Sequence, residues 1–138
     1  MAVWNDVDLD GIVRSAITMQ GIESAVIFVV RQGSPDLRLA AAAGIEGPAL
    51  DRLGAAVRDP SHPIARTMTD DGPTFDVQPT APGGPALRSH LPLVAEGDAT
   101  RSVIGVLAVS HDRPLVEAER QDLIALAVRA ASVANASQ

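Results

Sequence analysis

Residues 91–134 read LPLVAEGDATRSVIGVLAVSHDRPLVEAERQDLIALAVRAASVA, and their pattern sets the architecture. The run opens inside a strand, ALRSHLPLV (86–94), where Pro92 removes a ladder donor and so demotes the strand toward an edge or a bulge. EGDAT (96–100) supplies a turn. RSVIGVLAVSHD (101–112) is apolar on both parities, as a central strand buried on both faces must be. From Leu115 to Asn135 the period becomes helical, with Leu123, Leu126, Ala127, Ala130 and Ala134 on one stripe and Ile124, Val128 and Ala131 on another. One stripe can cover a sheet, and the other needs a partner. Small alanines permit close helix approach, so a helical homodimer is predicted through Leu123, Ala127, Ala130, Ala131 and Ala134. The competing reading is a helix buried more deeply in its own domain.

Working outward, IESAVIFVVR (22–31) is β-branched or aromatic on both parities and reads as a second covered strand, followed by a GSPD turn (33–36). LRLAAAAG (37–44) lies between two turn signals and is too short for an independent helix, so a strand is predicted despite its alanines. Pro48 opens a short helix, PALDRLGAAV, with Leu50, Leu53 and Val57 on one face. Residues 59–73 hold a helical turn around Ile64 to Met68. Thr74 to Val77 follow as a brief edge strand, and QPTAPGGP (78–85) is a loop by composition. At the other end, residues 8–20 carry a helical period with Asp8 as predicted N-cap and Gly21 as stop. The order is helix, two strands, short helices and loop, three strands, long helix, within one domain of 138 residues.

Composition removes whole chemistries. There is no cysteine, and all 11 basic residues are arginine, so thiolate nucleophiles, redox dithiols, thiolate metal sites, Schiff-base lysines and the P-loop lysine are excluded. A net charge of −6 with no arginine run argues against nucleic-acid binding. An acidic N-terminus and the lack of a ~20-residue apolar stretch make a soluble cytoplasmic protein the expectation, with no membrane partner. The three histidines, His62, His90 and His111, are too far apart for a local metal motif, and no metal site is predicted. Haem ligation by one of them and an ordinary hydrogen-bonded role are the competing readings.

Residues 6–30, 37–45 and 91–134 together resemble a GAF domain. The most specific likeness is a strand ending in Pro92 and Leu93, a turn to Ile104–Leu107, then Pro114, and a helix with Glu119 ahead of Leu123 and Leu126. The resemblance implies an α+β fold, GAF-like and PAS-related: a central antiparallel β-sheet with the N- and C-terminal helices on one face and short helices and loops on the other. It also implies small-ligand binding between the sheet and the irregular segment 46–85. Methionine sulfoxide reductase members and members that attach a bilin through a cysteine within the domain are excluded by the lack of cysteine. The Asn-Lys…Phe…Asp-Glu signature of cyclic-nucleotide-binding members is incomplete without lysine.

Alternation supplies a candidate site. Leu87, Ser89, Leu91 and Leu93 share the face suited to the helix layer, while Arg88, His90 and Pro92 look toward the irregular segment that brings His62, Arg66, Phe75 and Asp76. These six, His62, Arg66, Phe75, Asp76, Arg88 and His90, would suit an anionic or heteroaromatic ligand. The bland alternative pairs Arg88 with Asp70, Asp71 or Asp76 on a solvated face. The sequence thus predicts a non-catalytic regulatory domain that senses a small molecule and signals through a homodimer to an output protein or domain, with no cofactor named. A ligand-free scaffold is the first alternative, and an enzyme using His62 or His90 with Asp76 the second.

Overall fold

A computed structural model describes residues 6–19, 21–30, 36–70, 72–78, 87–96 and 101–136. The elements are α1 (Asp6–Ile17), β1 (Ile22–Val30), β2 (Leu37–Ala43), α2 (Gly47–Ala56), α3 (Pro63–Arg66) with a 3-10 turn (Thr67–Thr69), β3 (Thr74–Val77), β4 (Leu87–Glu96), β5 (Arg101–His111) and α4 (Glu117–Ala136). The five strands form one sheet in the order β2-β1-β5-β4-β3, and every pairing is antiparallel. β1 and β5, apolar on both parities in the sequence, take central positions. Short β3 is an edge that pairs with β4 only between Thr74↔His90 and Val77↔Arg88. Pro92 lies beyond that pairing, on a stretch of β4 whose strand partner among the described residues is β5, through Val106.

Each face of the sheet carries its own core. On one face Ile27, Leu91, Leu93, Leu107 and Val109 meet Leu9, Ile12 and Val13 of α1 and Leu123, Ala127 and Ala130 of α4. On the other, Val26, Phe28, Val106 and Ala108 meet Val57, which ends α2, and Ile64 of α3. The sheet and helix layers are those expected from the sequence. Gly105 is required where β5 passes β1: a Cβ there would lie 2.3 Å from the Phe28 carbonyl oxygen.

One sequence expectation is corrected. α1 begins at Asp6, so Asp8 lies within the helix rather than capping it; acidic residues favour the whole first turn of a helix, not the cap alone. Leu123, Ala127, Ala130, Ala131 and Ala134 are buried within the single chain, where α4 covers the sheet and packs beside α1. Of the second stripe Ala131 is buried, Ile124 half-buried and only Val128 strongly exposed, at 65%. Within the chain, α1 is the helix that neighbours α4, and Ala127 and Ala131 line the groove between α4 and β4. The predicted turn residues 33–35 and 97–100 and most of the 78–85 loop lie outside the described residues.

Candidate functional site

The β3 strand divides the six predicted site residues between two places. Thr74 pairs with His90 and Val77 with Arg88, so both Phe75 and Asp76 stand opposite Ser89 in a bulge. Asp76 takes φ +58, a left-handed conformation that aspartate tolerates better than most residues. Alternation is broken there, and Phe75 and Asp76 turn toward the α1/α4 layer, away from His62, Arg88 and His90. The Asp76 backbone N–H donates to Ser89 Oγ at 3.2 Å. Asp76 Oδ1 accepts from the Leu115 N–H at 3.0 Å, and Oδ2 pairs with Arg120 at 2.7 Å. The Arg120 guanidinium lies over the Phe75 ring, 4.9 Å from its centroid.

Below this network His111 is fully buried. Its Nδ1 faces the Arg113 carbonyl at 2.7 Å, and a carbonyl only accepts, so Nδ1 carries the proton. Nε2 then accepts from the Ser89 hydroxyl at 2.8 Å. Arg113 and Glu119 close the end of α4 with two bonds of 2.9 and 2.7 Å. Glu119 also accepts from the Val116 N–H, the return half of a capping box. This pairing with Arg113 and the Val116 N–H holds the Glu119 carboxyl down at about 2. These contacts fasten β3 and the start of α4 to the sheet. The sequence signal for them was a serine within the apolar parity of β4, a polar group that burial obliges to find partners.

The opposite face is built differently. Arg88, His90 and Pro92 share it, as alternation predicted, and His62 stands over it at the start of α3, where its Nδ1 accepts from the Ile64 N–H at 3.1 Å. Arg66, the last residue of α3, is exposed. His90 is only 2% exposed, and its Nε2 has no hydrogen-bond partner. Burial pushes its pKa down to about 4, with Arg88 and then His62 adding repulsion. His62 is lowered by burial and by Arg88, against a smaller opposing pull from Asp59. Among the described residues Arg88 has no carboxylate partner: Asp76 is taken by Arg120, and Asp70 makes no ion pair. The pairing with Asp71 lies outside the described residues.

Beside these groups a cleft of about 250 Å³ opens between the ends of β1, β4 and β5 and the helices α2 and α3. Ser24 and Ser110, which sequence reasoning passed over, line it with their hydroxyls hydrogen-bonded to each other. Their signal was again a polar residue at the end of an otherwise apolar strand. A second, apolar groove of about 530 Å³ runs between α4 and the outer part of β4, past Ile124 and Val128. Among the described residues no three histidine, aspartate or glutamate side chains group as metal ligands would. No described helix is long and apolar enough to cross a membrane.

Comparison with solved structures gives the fold a name. The GAF domain region of a Geobacter sulfurreducens protein superposes with a TM-score of 0.72 at 18% identity, covering 94% of this chain and 92% of that one. The fold is that of a GAF domain. The second GAF domain of DevS from Mycobacterium smegmatis matches at TM-score 0.63 and 19% identity, over 94% of this chain and 92% of that one. Residues 122 to 287 of a methyl-accepting chemotaxis protein match at 0.65 and 22%, over 93% and 87%. No protein-family model matches the sequence, and no curated protein matches it significantly.

Proposed function

We propose that this GAF-fold chain is a non-catalytic regulatory domain that binds a small molecule against the α2/α3 face of its sheet. The observation that carries the reading is the group formed by Arg88, His62 and His90. It sets Arg88, which lines an open cleft and has no carboxylate partner among the described residues, close to a buried imidazole nitrogen without a partner, the histidines themselves lying behind the cleft lining. An unpaired polar group in a protein interior costs free energy, and a ligand that completes it recovers that cost. The chemotaxis-protein likeness supports a signalling setting. Binding would favour one arrangement of residues 59–78 over another and thereby change how the sheet supports α1 and α4, a shift of population between two states. Catalysis by His62 or His90 with Asp76 is disfavoured by the placement of Asp76 on the opposite layer, bound to Arg120.

Transmission runs through a homodimer, and its contact uses the exposed flank of α4 around Val128 rather than the buried alanines. Val128→Glu breaks that dimer without touching the core, read as a halved mass in analytical ultracentrifugation; an unchanged mass removes the interface. The cleft is smaller than the roughly 300 Å³ at which ligand pockets usually begin, and this favours a ligand-free scaffold as the second reading. Native mass spectrometry of the purified protein, with an absorbance spectrum of the same sample, separates the two. A bound mass that Arg88→Ala with His90→Ala abolishes, the dimer remaining intact, is the expected result. A bare dimer that takes up no small molecule favours the scaffold.

A further inference from the structure

The register of the three inner strands sets one polar row across the cleft. Arg88 of β4 pairs with Ser110 of β5, and Ser110 with Ser24 of β1. With strands about 4.8 Å apart, the guanidinium and the two hydroxyls are presented along roughly 10 Å of a single line. The residues one pleat inward on β5 and β1, Ala108 and Val26, are apolar, and Leu53 and Ile64 close over them from α2 and α3. The site is therefore amphiphilic, with donors along one rim and hydrocarbon behind them.

Three further features narrow the ligand. Glu23 lines the same cleft and so disfavours a doubly charged anion more than a singly charged one. Among the described residues no aromatic ring lines it, so a nucleobase would find nothing to stack on. A volume of about 250 Å³ equals about eight water volumes and so admits a ligand of about eight to ten non-hydrogen atoms. Resting on the sensor reading above, we infer that the cleft binds a small aliphatic monocarboxylate. Its carboxylate lies on Arg88, Ser110 and Ser24, and its hydrocarbon body lies against Val26, Ala108, Leu53 and Ile64. The guanidinium and the hydroxyl hydrogen not used in the Ser24–Ser110 bond satisfy the carboxylate oxygens, and the ligand supplies the negative partner that Arg88 lacks among the described residues.

The test is calorimetric titration of the purified protein at neutral pH with 4-methylpentanoate, its uncharged amide and inorganic phosphate. The carboxylate is expected to bind at least about tenfold more tightly than the amide, since a hydrogen bond to a charged group is at stake. Phosphate is expected to give no heat. Arg88→Gln should reduce the carboxylate to the level of the amide while leaving the melting temperature unchanged, and Arg129→Ala, on the exposed side of α4, should bind as the wild type does. Equal affinity for acid and amide, preference for phosphate, or retention of affinity in Arg88→Gln each overturns the ligand class. A neutral or nucleotide mass found on the purified protein does the same while leaving the sensor reading intact. A protein that takes up neither 4-methylpentanoate nor any bound mass overturns both.

Discussion

The two faces of the sheet treat their polar residues in opposite ways. Toward α1 and α4, Ser89, His111, Asp76 and Arg120 are joined by bonds of 2.7–3.2 Å whose donors and acceptors can be assigned throughout. Toward α2 and α3, among the described residues Arg88 is left without a carboxylate and His90 without a partner for Nε2. Apart from Arg120 Nε, which is also buried without a hydrogen-bond partner, the groups of the first network satisfy one another, and its contribution is to stability and register. A cluster that does not close is costly by itself and becomes worthwhile only in a state where something completes it. The comparison gives the first face a structural part; the proposed recognition belongs to the second.

The largest effect expected from breaking the comparison is at Asp76. Asp76→Ala removes the acceptor for the Leu115 N–H and leaves the Arg120 guanidinium without its carboxylate, in a half-buried setting. It should cost about 3 kcal/mol in urea unfolding. Asp76→Asn keeps an acceptor oxygen and a side chain tolerant of φ +58, so it should cost only about half as much. A loss under about 1 kcal/mol for Asp76→Ala would mean that the closed network does not hold β3 and α4 to the sheet.

Acid should act mainly on the open face. His90 is held at about 4 by burial, with Arg88 and His62 contributing, against the ordinary 6.5 of a histidine. Between those pH values the unfolded chain binds a proton that the native chain refuses, so stability is complete above pH 6.5 and falls as pH drops toward 4. The loss should reach about 2 kcal/mol at pH 5, checked by urea midpoints across pH 4 to 8. His90→Gln should flatten that stretch of the profile. Glu119, held at about 2 by Arg113 and the Val116 N–H, acts in a separate and lower window. Its share is present above its ordinary value of 4.5 and is lost between 4.5 and 2. An unaltered profile in His90→Gln would place the acid sensitivity elsewhere.

Much of this was legible in the residues because periodicity reports burial. Strands apolar on both parities, such as Ile22–Val30 and Arg101–His111, had to be central, and the parity of Leu87–Leu93 correctly separated Arg88 and His90 from the helix layer. Two things were not legible. A bulge obeys no parity, so Phe75 and Asp76 were assigned to the wrong face until the pairings Thr74↔His90 and Val77↔Arg88 fixed the extra residue between them. A wide apolar helix face does not say whose surface covers it. The alanines of α4 are buried within their own chain, since a close packing contact needs small side chains whether the neighbour is in the same molecule or another.

The smallest expected effect is the most discriminating. Removing a cation from a folded protein is usually costly where the cation is paired, yet among the described residues Arg88 makes no ion pair, and it disfavours a proton on both neighbouring imidazoles. Arg88→Ala should therefore change stability at pH 7 by less than about 0.5 kcal/mol, the range of an ordinary surface substitution. Without the guanidinium, His90 is repelled less, its native pKa rises toward 6.5, and the interval in which native and unfolded chains differ in bound protons becomes narrower. The variant should lose less stability than the wild type between pH 6.5 and pH 4, the reverse of what deletion of a stabilising ion pair would give. A substantial loss at pH 7 would mean that Arg88 is held by a partner after all. The contrast between a closed face and an open one would then fail at the residue on which it depends most.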